Sequence, residues 1–265
     1  MTQQDAVAIV VGGDRGVGAS ITAALVEAGT RVVVTAPPRE PLAFTRTGDR
    51  MALSEGDVAT ADGADAAVRT ALEQFGRLDF IVVHPTRAAK PSGDVSADLQ
   101  HAVREDLRAA YTTLKHSTIV FRSERAGRVV MVIPRDGLTG SGDSPVAAAV
   151  AGGLVGLTKA VSLGMRRYGV PCNAVAFSST DTDSVATLSA LCVYLGGEVA
   201  PEFTGNVFSV EGRAISLWAH ERPVSSVFDA SGTWDVDDLP VQTRAALATD
   251  PLQLLKDPAL VRAGG

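Results

Sequence analysis

The sequence predicts an α/β fold of a single domain, in which helices cover both faces of a doubly wound parallel sheet. Short apolar runs recur along the chain, and each is followed by a longer segment with helical spacing. The runs are continuously apolar rather than alternating, which is typical of strands buried on both faces of a parallel sheet. With 265 residues and 46% hydrophobic content, the chain is long and apolar enough to form one sizeable core.

Five of these apolar runs are the candidate strands. In chain order they are Val7–Val11, 31–35, Phe80–Val83, 129–133 and 173–176. Right-handed crossovers through the intervening helices would join them into one doubly wound sheet. From about residue 224 the chain becomes rich in Ser, Asp and Pro. This change predicts one domain over 1–224 and a C-terminal extension over 225–265 that wraps over a surface.

Composition argues against several classes of function. A net charge of −6 without a dense run of Lys and Arg is unlike that of a nucleic-acid-binding protein. We expect a cytoplasmic protein, because the sequence has neither a run of eighteen apolar residues nor a basic region ahead of its first strand. Cys172 and Cys192 lack a second pair of ligands and the histidines are isolated, so we expect buried thiols and no metal site.

A glycine-rich turn between the first strand and the first helix is the clearest motif. Gly12, Gly16 and Gly18 follow the apolar strand and open a helical segment. At this spacing the backbone can approach a pyrophosphate at the helix N-terminus, from which side chains would hold it away. The motif therefore predicts a Rossmann-type nucleotide site. The alternative is a tight turn that is kept for packing after nucleotide binding was lost.

Together with the order of the downstream elements, this motif makes residues 5–245 resemble the short-chain dehydrogenase/reductase family. The resemblance implies an NAD(P) cofactor, with Asp57 and Val58 against the adenine ring and Thr182 at the nicotinamide. The segment 205–212 resembles the last strand of members that act on 3-hydroxyacyl-CoA thioesters. In those members the C-terminal extension commonly reaches a neighbouring subunit.

The choice between NAD and NADP is made at the end of the second strand. NAD-selective members of the resembled family carry an acid there, which holds the ribose hydroxyls. This chain has Ala36 at that position, with Arg15 and Arg39 nearby in the sequence. We therefore expect weak or absent nucleotide binding that favours NADP. Weakness is expected because His84 lies in a segment that replaces the family's Asn-Asn-Ala-Gly, and Ser178 in one that replaces its Pro-Gly.

The catalytic residues that the resemblance would require are missing. A gap-free alignment over 127–154 puts Pro134 at the position of the family's Ser, Ala147 at that of its Tyr and Ala151 at that of its Lys. Asp106 stands in place of the helical Asn. The family's Tyr is a general acid whose pKa the adjacent Lys lowers, and a methyl group can do neither task. We therefore predict no catalytic residue for hydride transfer.

Tyr111 and Lys115 match the Tyr-x-x-x-Lys pattern but lie in the preceding helix. We interpret the pair as a coincidence of helix packing. The lid is also missing, because Thr182 runs almost directly into the helical segment 185–191, where the family inserts about twenty residues over the substrate. Lid closure excludes water and completes the site, so its loss also argues against catalysis.

Small residues fill the helix predicted over 146–163, and Gly152 and Gly153 in its middle suggest close helix approach. In the resembled family this helix and the one predicted over 99–121 build a four-helix dimer interface. We therefore predict an inactive subunit that pairs with itself or with an active paralogue in a hetero-oligomeric NAD(P)-dependent oxidoreductase. Hydroxyacyl or ketoacyl thioesters are the candidate substrates.

Two other functions are compatible with the sequence. One is an enzyme that uses the same cleft for dehydration or cyclisation, with His84 and Asp106 as its acid and base. The other is a divergent NADP-dependent reductase whose proton donor comes from another part of the chain.

Overall fold

The computed structural model describes residues 5–36, 49–84, 94–197, 203–219 and 226. The chain divides into two compact units, 1–219 and 220–265. The C-terminal extension predicted over 225–265 lies outside the described residues except for Ser226, and so does Arg39. The predicted boundary near residue 224 and the role of the extension stay predictions.

One eight-stranded sheet forms the centre of the described fold, in the order β3-β2-β1-β4-β5-β6-β7-β8. Neighbouring strands are parallel except for the antiparallel pair of β7 and β8. The strands are β1 (Val7–Val11), β2 (Arg31–Ala36), β3 (Met51–Glu55), β4 (Phe80–Val83), β5 (Arg128–Pro134), β6 (Cys172–Phe177), β7 (Val207–Glu211) and β8 (Ala214–Leu217). The predicted fold class is confirmed.

Helices cover both faces of this sheet. They are α1 (Gly16–Glu27), α2 (Ala61–Phe75), α3 (Val95–Ala102), α4 (Ala109–Glu124), α5 (Asp136–Thr139), α6 (Pro145–Met165) and α7 (Thr182–Gly196). One apolar cluster joins α2, α4 and α6 to one face of the sheet, and a second joins α1 and α7 to the other face. Apolar burial on both faces explains why the strands are continuously apolar.

The chain reverses its direction of winding between β1 and β4, which are neighbours in the sheet. In open α/β sheets the ligand binds at such a point, outside the carboxyl ends of the strands. The turn after β1 and the residues after β4, β5 and β6 all lie at this carboxyl edge. The fold therefore brings the sequence motifs together at one edge.

Two strands of the sheet were not predicted from the sequence. Met51–Glu55 is only half-buried at the edge of the sheet, so its apolar pattern is weak. Ala214–Leu217 is exposed along its whole length and pairs antiparallel with β7. Neither strand shows the continuous apolar run that predicts a buried parallel strand.

The two predicted interface helices differ in detail from the prediction. The segment 99–121 is interrupted by a π-helical turn, Val103–Arg108, between α3 and α4. Such insertions leave little trace in apolar periodicity and often occur at functional sites. The helix predicted over 146–163 begins earlier, with Pro145 in its first turn, where proline's fixed φ favours helix initiation.

α6 qualifies the prediction that no segment could span a membrane. Together with the short 3₁₀ turn that follows it, this helix is long and apolar enough by length and composition. It packs against β5 and β6, and a core helix of a soluble protein satisfies the same criterion. Only 33% of its most apolar stretch is fully buried, and Leu163 is its large apolar residue with high exposure, at 74%.

Candidate active site

The turn over residues 12–18, here called the glycine turn, connects β1 to α1 at the carboxyl edge of the sheet. Gly12 has φ +69°, and a Cβ at this position would lie 2.2 Å from the carbonyl oxygen of His84. A Cβ on Gly18 would lie 1.9 Å from the carbonyl oxygen of Gly12. Close packing therefore requires these two glycines whether or not a nucleotide binds.

Gly16 has a different environment. Its φ is +51°, and a Cβ built on it would meet nothing within 4 Å. The helix that begins here has no side-chain N-cap, so no capping side chain occupies its first N–H groups. The glycine turn thus fits a pyrophosphate, whose oxygens could approach these N–H groups.

Arg15 and Asp14 form an ion pair inside the glycine turn. The Nε and Nη2 atoms of Arg15 donate to Oδ2 of Asp14 at 2.9 and 2.6 Å. Asp14 is buried, whereas the Arg15 side chain is 44% exposed. The 2′-phosphate contact predicted for Arg15 did not take Asp14 into account, although an opposite charge next to Arg15 in the sequence indicates such an ion pair.

The end of β2 carries no acid. Ala36 is buried, and its carbonyl oxygen accepts the N–H of Gly56 at 3.0 Å. This contact connects the end of β2 to the segment after β3. No carboxylate from position 36 is available to hold ribose hydroxyls, so the reason to expect an NADP preference remains.

Asp57 and Val58, which are predicted to contact the adenine ring, are held by α4 and by the π-helical turn that precedes it. Asp57 accepts the N–H of Ala59 at 2.9 Å and forms an ion pair with Arg104 of the π-helical turn. The carbonyl oxygen of Val58 accepts the Thr112 hydroxyl of α4. Asp57 and Val58 thus lie at the carboxyl edge, where an adenine would bind, but the Asp57 carboxylate already has a partner.

The connection from β6 to α7 leaves no room for a lid. Residues 178–181 form all of it, and Thr182 is the first residue of α7. Asp181 caps this helix by accepting the Ser184 N–H at 2.9 Å and the Ser184 hydroxyl at 2.7 Å. A hydrogen bond with Ser179 makes the largest contribution, and together with the Ser184 hydrogen bonds it lowers the pKa of Asp181 to about 2. The predicted direct entry into the helix is confirmed.

The positions where the family would carry its catalytic Ser, Tyr and Lys hold no ionisable group. Pro134 ends β5 opposite Phe177 of β6. Ala147 and Ala151 lie one turn apart on α6, and Ala151 is buried. α5 packs closely on α6 here, because a Cβ on Gly137 would lie 2.7 Å from the Ala151 methyl. No proton donor is contributed from these positions.

Every tyrosine of the chain lies in another part of the fold. Tyr111 and Tyr168 line a groove between α4 and α6, and Tyr194 contacts Phe203 near the end of α7. The lysine of α6, Lys159, is about 12 Å beyond Ala151 along the helix axis. Tyr111 and Lys115 both line this groove, which agrees with their interpretation as a coincidence of helix packing.

His84 is a buried histidine next to the glycine turn. Its backbone N–H donates to the carbonyl oxygen of Val11 at 3.1 Å, and its ring lies 5.7 Å from that of Phe177. Burial lowers its pKa from 6.5 to about 4, so the ring is neutral at physiological pH and a weak base. Asp106 is half-buried in the π-helical turn. No described hydrogen bond joins it to His84.

The remaining nucleophiles are inert. Burial raises the pKa of Cys192 to about 12 and that of Cys172 further, so neither is a thiolate at neutral pH. Within the described ranges, no group of three or more His, Cys, Asp or Glu could hold a metal ion.

Known proteins resemble the chain in both sequence and fold. Residues 6–191 match the family described as short chain dehydrogenase. A 3-oxoacyl-acyl-carrier-protein reductase of Synechocystis is 28% identical over 192 residues, which cover 69% of this chain and 78% of that protein. The hydroxy(phenyl)methylsuccinyl-CoA dehydrogenase subunit BbsD of Thauera aromatica is 28% identical over 182 residues, with coverage of 65% and 72%.

A solved short chain dehydrogenase from Mycobacterium avium shares the fold. Its TM-score is 0.81 at 26% identity, and the match covers 91% of this chain and 94% of that one. The match therefore extends well beyond the glycine turn.

Proposed function

Because the chain belongs to the short chain dehydrogenase family, we propose that it is a catalytically inactive subunit that pairs with an active paralogue in an NAD(P)-dependent oxidoreductase. The observation that carries this proposal is the proton-donor site. Pro134, Ala147 and Ala151 occupy the positions of the Ser, Tyr and Lys, and none of them can donate or tune a proton. The absence of a lid at Thr182 adds to it, because water would have access to the site.

The proposed nucleotide is NADP, bound weakly or not at all. When bound, NADP supplies the hydride acceptor, and this chain contributes Gly16 and the uncapped end of α1 for its pyrophosphate. Ala36 leaves space where an acid would select NAD. The weakness follows from the ion pairs of Arg15 and Asp57, which a nucleotide would have to replace.

The proposed partner surface is the α4–α6 groove, defined by Tyr111, Leu114, Lys115, Thr118, Arg122, Leu157, Val161, Gly164, Met165, Arg167 and Tyr168. Tyr111 is 54% exposed, and nearby Leu163 is 74% exposed. Exposed apolar groups that lie together favour a protein partner.

The mid-helix glycines support that surface less than the sequence suggested. A Cβ on Gly153 would lie 3.4 Å from Leu107 of the same chain, and one on Gly152 would lie 3.7 Å from the carbonyl oxygen of Gly137. Both glycines face neighbours in the same chain at ordinary van der Waals distances, so neither marks a close approach of another helix. The exposed side chains of Tyr111 and Leu163 are the better argument for a partner.

Thioesters are the proposed substrates of the complex. By name, one relative reduces a 3-oxoacyl thioester of acyl carrier protein, and another is a subunit of a dehydrogenase for a substituted succinyl-CoA. This chain would contribute assembly and its paralogue the chemistry. Two free, buried cysteines are consistent with the cytoplasmic location that the sequence predicts.

The test is co-expression with an intact paralogue from the same source. We expect the two chains to co-purify and to oxidise or reduce a thioester substrate, and we expect this chain alone to leave NADPH and NADH unchanged. Changing the paralogue's tyrosine to Phe should abolish turnover by the complex. Steady nicotinamide consumption by this chain alone, purified from a host that lacks the contaminating reductases, would show that the chain is an enzyme.

A further inference from the structure

We propose that Asp14 weakens the recognition of a 2′-phosphate in this chain by pairing with Arg15, so that the Arg15 guanidinium offers a nucleotide little net positive charge. The inference rests on the proposed NADP site and names the residue that weakens it.

The geometry shows that Arg15 is held inside its own turn. Two of its three donating nitrogens, Nε and Nη2, bind one oxygen of Asp14, at 2.9 and 2.6 Å, and the two residues are adjacent in sequence. The Asp14 side chain is only 6% exposed. A buried carboxylate requires a counter-charge, because transfer out of water disfavours its ionised form. Arg15 supplies that charge and is therefore less available to a ligand.

The electrostatics follow from this pairing. The two charges cancel, so a phosphate dianion would gain little net attraction on approaching Arg15. It would also meet the Asp14 carboxylate, which a low-dielectric site screens poorly. Asp14 precedes the N-cap of α1 by one residue, close to the helix end that attracts anions. A carboxylate of the chain thus lies where a phosphate would be stabilised.

Asp14 is also the only acid in this part of the chain that could have the effect. Between residues 5 and 36 the other acids are Asp5, before β1, and Glu27, at the end of α1. Asp5 pairs with Arg31 at 2.7 Å, at the amino edge of the sheet. It provides a matched control, since it is an Asp–Arg pair at the edge opposite the glycine turn.

The experiment compares two small nucleotides that differ by one phosphate. Calorimetric titration of the full chain with 2′,5′-ADP and with 5′-AMP is carried out for the wild type, Asp14→Asn and Asp5→Asn. We expect Asp14→Asn to tighten 2′,5′-ADP binding by about tenfold or more, and 5′-AMP binding by less than about threefold. Asp5→Asn, which removes the same charge, should bind both nucleotides as the wild type does.

A second substitution assigns the gain to Arg15. Adding Arg15→Ala to Asp14→Asn should abolish the tighter 2′,5′-ADP binding. Asp14→Ala provides a second variant if the amide disturbs folding, and the thermal unfolding of each variant is measured beforehand. Equal 2′,5′-ADP affinity in the wild type and in the folded Asp14 variants would overturn the proposal. So would a gain that survives Arg15→Ala.

Failure here is distinguishable from failure of the proposed function. An unchanged nucleotide affinity would leave the inactive subunit, its partner and its lack of turnover as they are. Conversely, turnover by the isolated chain would refute the inactive subunit without altering the comparison between Asp14→Asn and Asp5→Asn.

Discussion

Charged residues of the nucleotide site are satisfied within the chain itself. Arg15 is paired with the preceding residue, whereas Asp57 is paired with Arg104, 47 positions further along. The first pair could be suspected from the sequence, because the two opposite charges are adjacent in a turn. The second could not, because it depends on the packing of the π-helical turn over the end of β3. At the scale of single residues, local spacing locates a site, but tertiary contacts decide whether its groups are available.

His84 should make stability depend on pH. Its pKa falls from 6.5 to about 4 on burial, so the unfolded chain binds a proton in a range where the folded chain does not. The contribution is fully present above pH 6.5 and is lost as the pH falls towards 4. The loss amounts to on the order of 3 kcal/mol. Urea unfolding at pH 7.5, 6 and 5 measures it.

The control for that measurement is a second histidine. His101 is exposed on α3, so His101→Asn should keep the wild-type pH dependence. His84→Asn should lose most of the dependence between pH 6.5 and 4, whatever its stability at neutral pH. The same slope in His84→Asn and the wild type would contradict the assignment.

At the scale of elements, the short β6–α7 connection holds the N-cap of α7 at the position where the family inserts its lid. Asp181 holds the start of α7 through Ser184, and the Ser184 hydroxyl accepts the N–H of Gly212 at 2.8 Å. The cap therefore also joins α7 to the turn between β7 and β8. A mobile insertion in this place would separate those groups, so the direct entry makes this corner rigid where an active enzyme would need it to open.

Removing that cap should destabilise the protein in a pH-dependent way. Asp181→Ala is expected to lower the melting temperature at pH 7, because the first N–H groups of α7 lose their acceptor. The folded pKa of Asp181 is about 2, below its usual 3.8. Its contribution is thus present above about pH 4 and is lost as the pH falls through 2. Thermal unfolding from pH 7 to pH 2 should show the difference shrinking.

Asp183→Ala removes a neighbouring acid of the same helical turn, which no described hydrogen bond engages as a cap. It should change the melting temperature much less than Asp181→Ala does. Equal effects would mean that general charge at the helix N-terminus, rather than the cap, stabilises α7.

At the scale of the whole molecule, the exposed apolar side chains of Tyr111 and Leu163 predict assembly through the α4–α6 groove. Tyr111→Glu places a charge on an exposed groove residue, at little cost to the monomer. We expect it to weaken association about tenfold or more, because a charge buried in an apolar contact is costly. Analytical ultracentrifugation of the chain, alone and with its paralogue, measures the effect.

Leu72→Glu is the matched control, because Leu72 is similarly apolar and 40% exposed but lies on α2, outside the groove. It should leave association unchanged. A wild-type chain that stays monomeric alone and with its paralogue at high concentration would contradict the assembly prediction.

The sequence by itself determined the α/β class, the five central strands, the glycine turn and the direct entry from β6 into α7. All of these features are local or depend on fixed spacing, so the residue types of buried strands and tight turns predict them. The edge strands β3 and β8 lack a continuous apolar run, because they are not buried on both faces. Only tertiary structure decided that Arg15 and Asp57 are paired, that Gly153 faces Leu107 of the same chain and that Leu163 of α6 is exposed. These outcomes depend on which elements meet in space, and periodicity along one element carries no information about its neighbours.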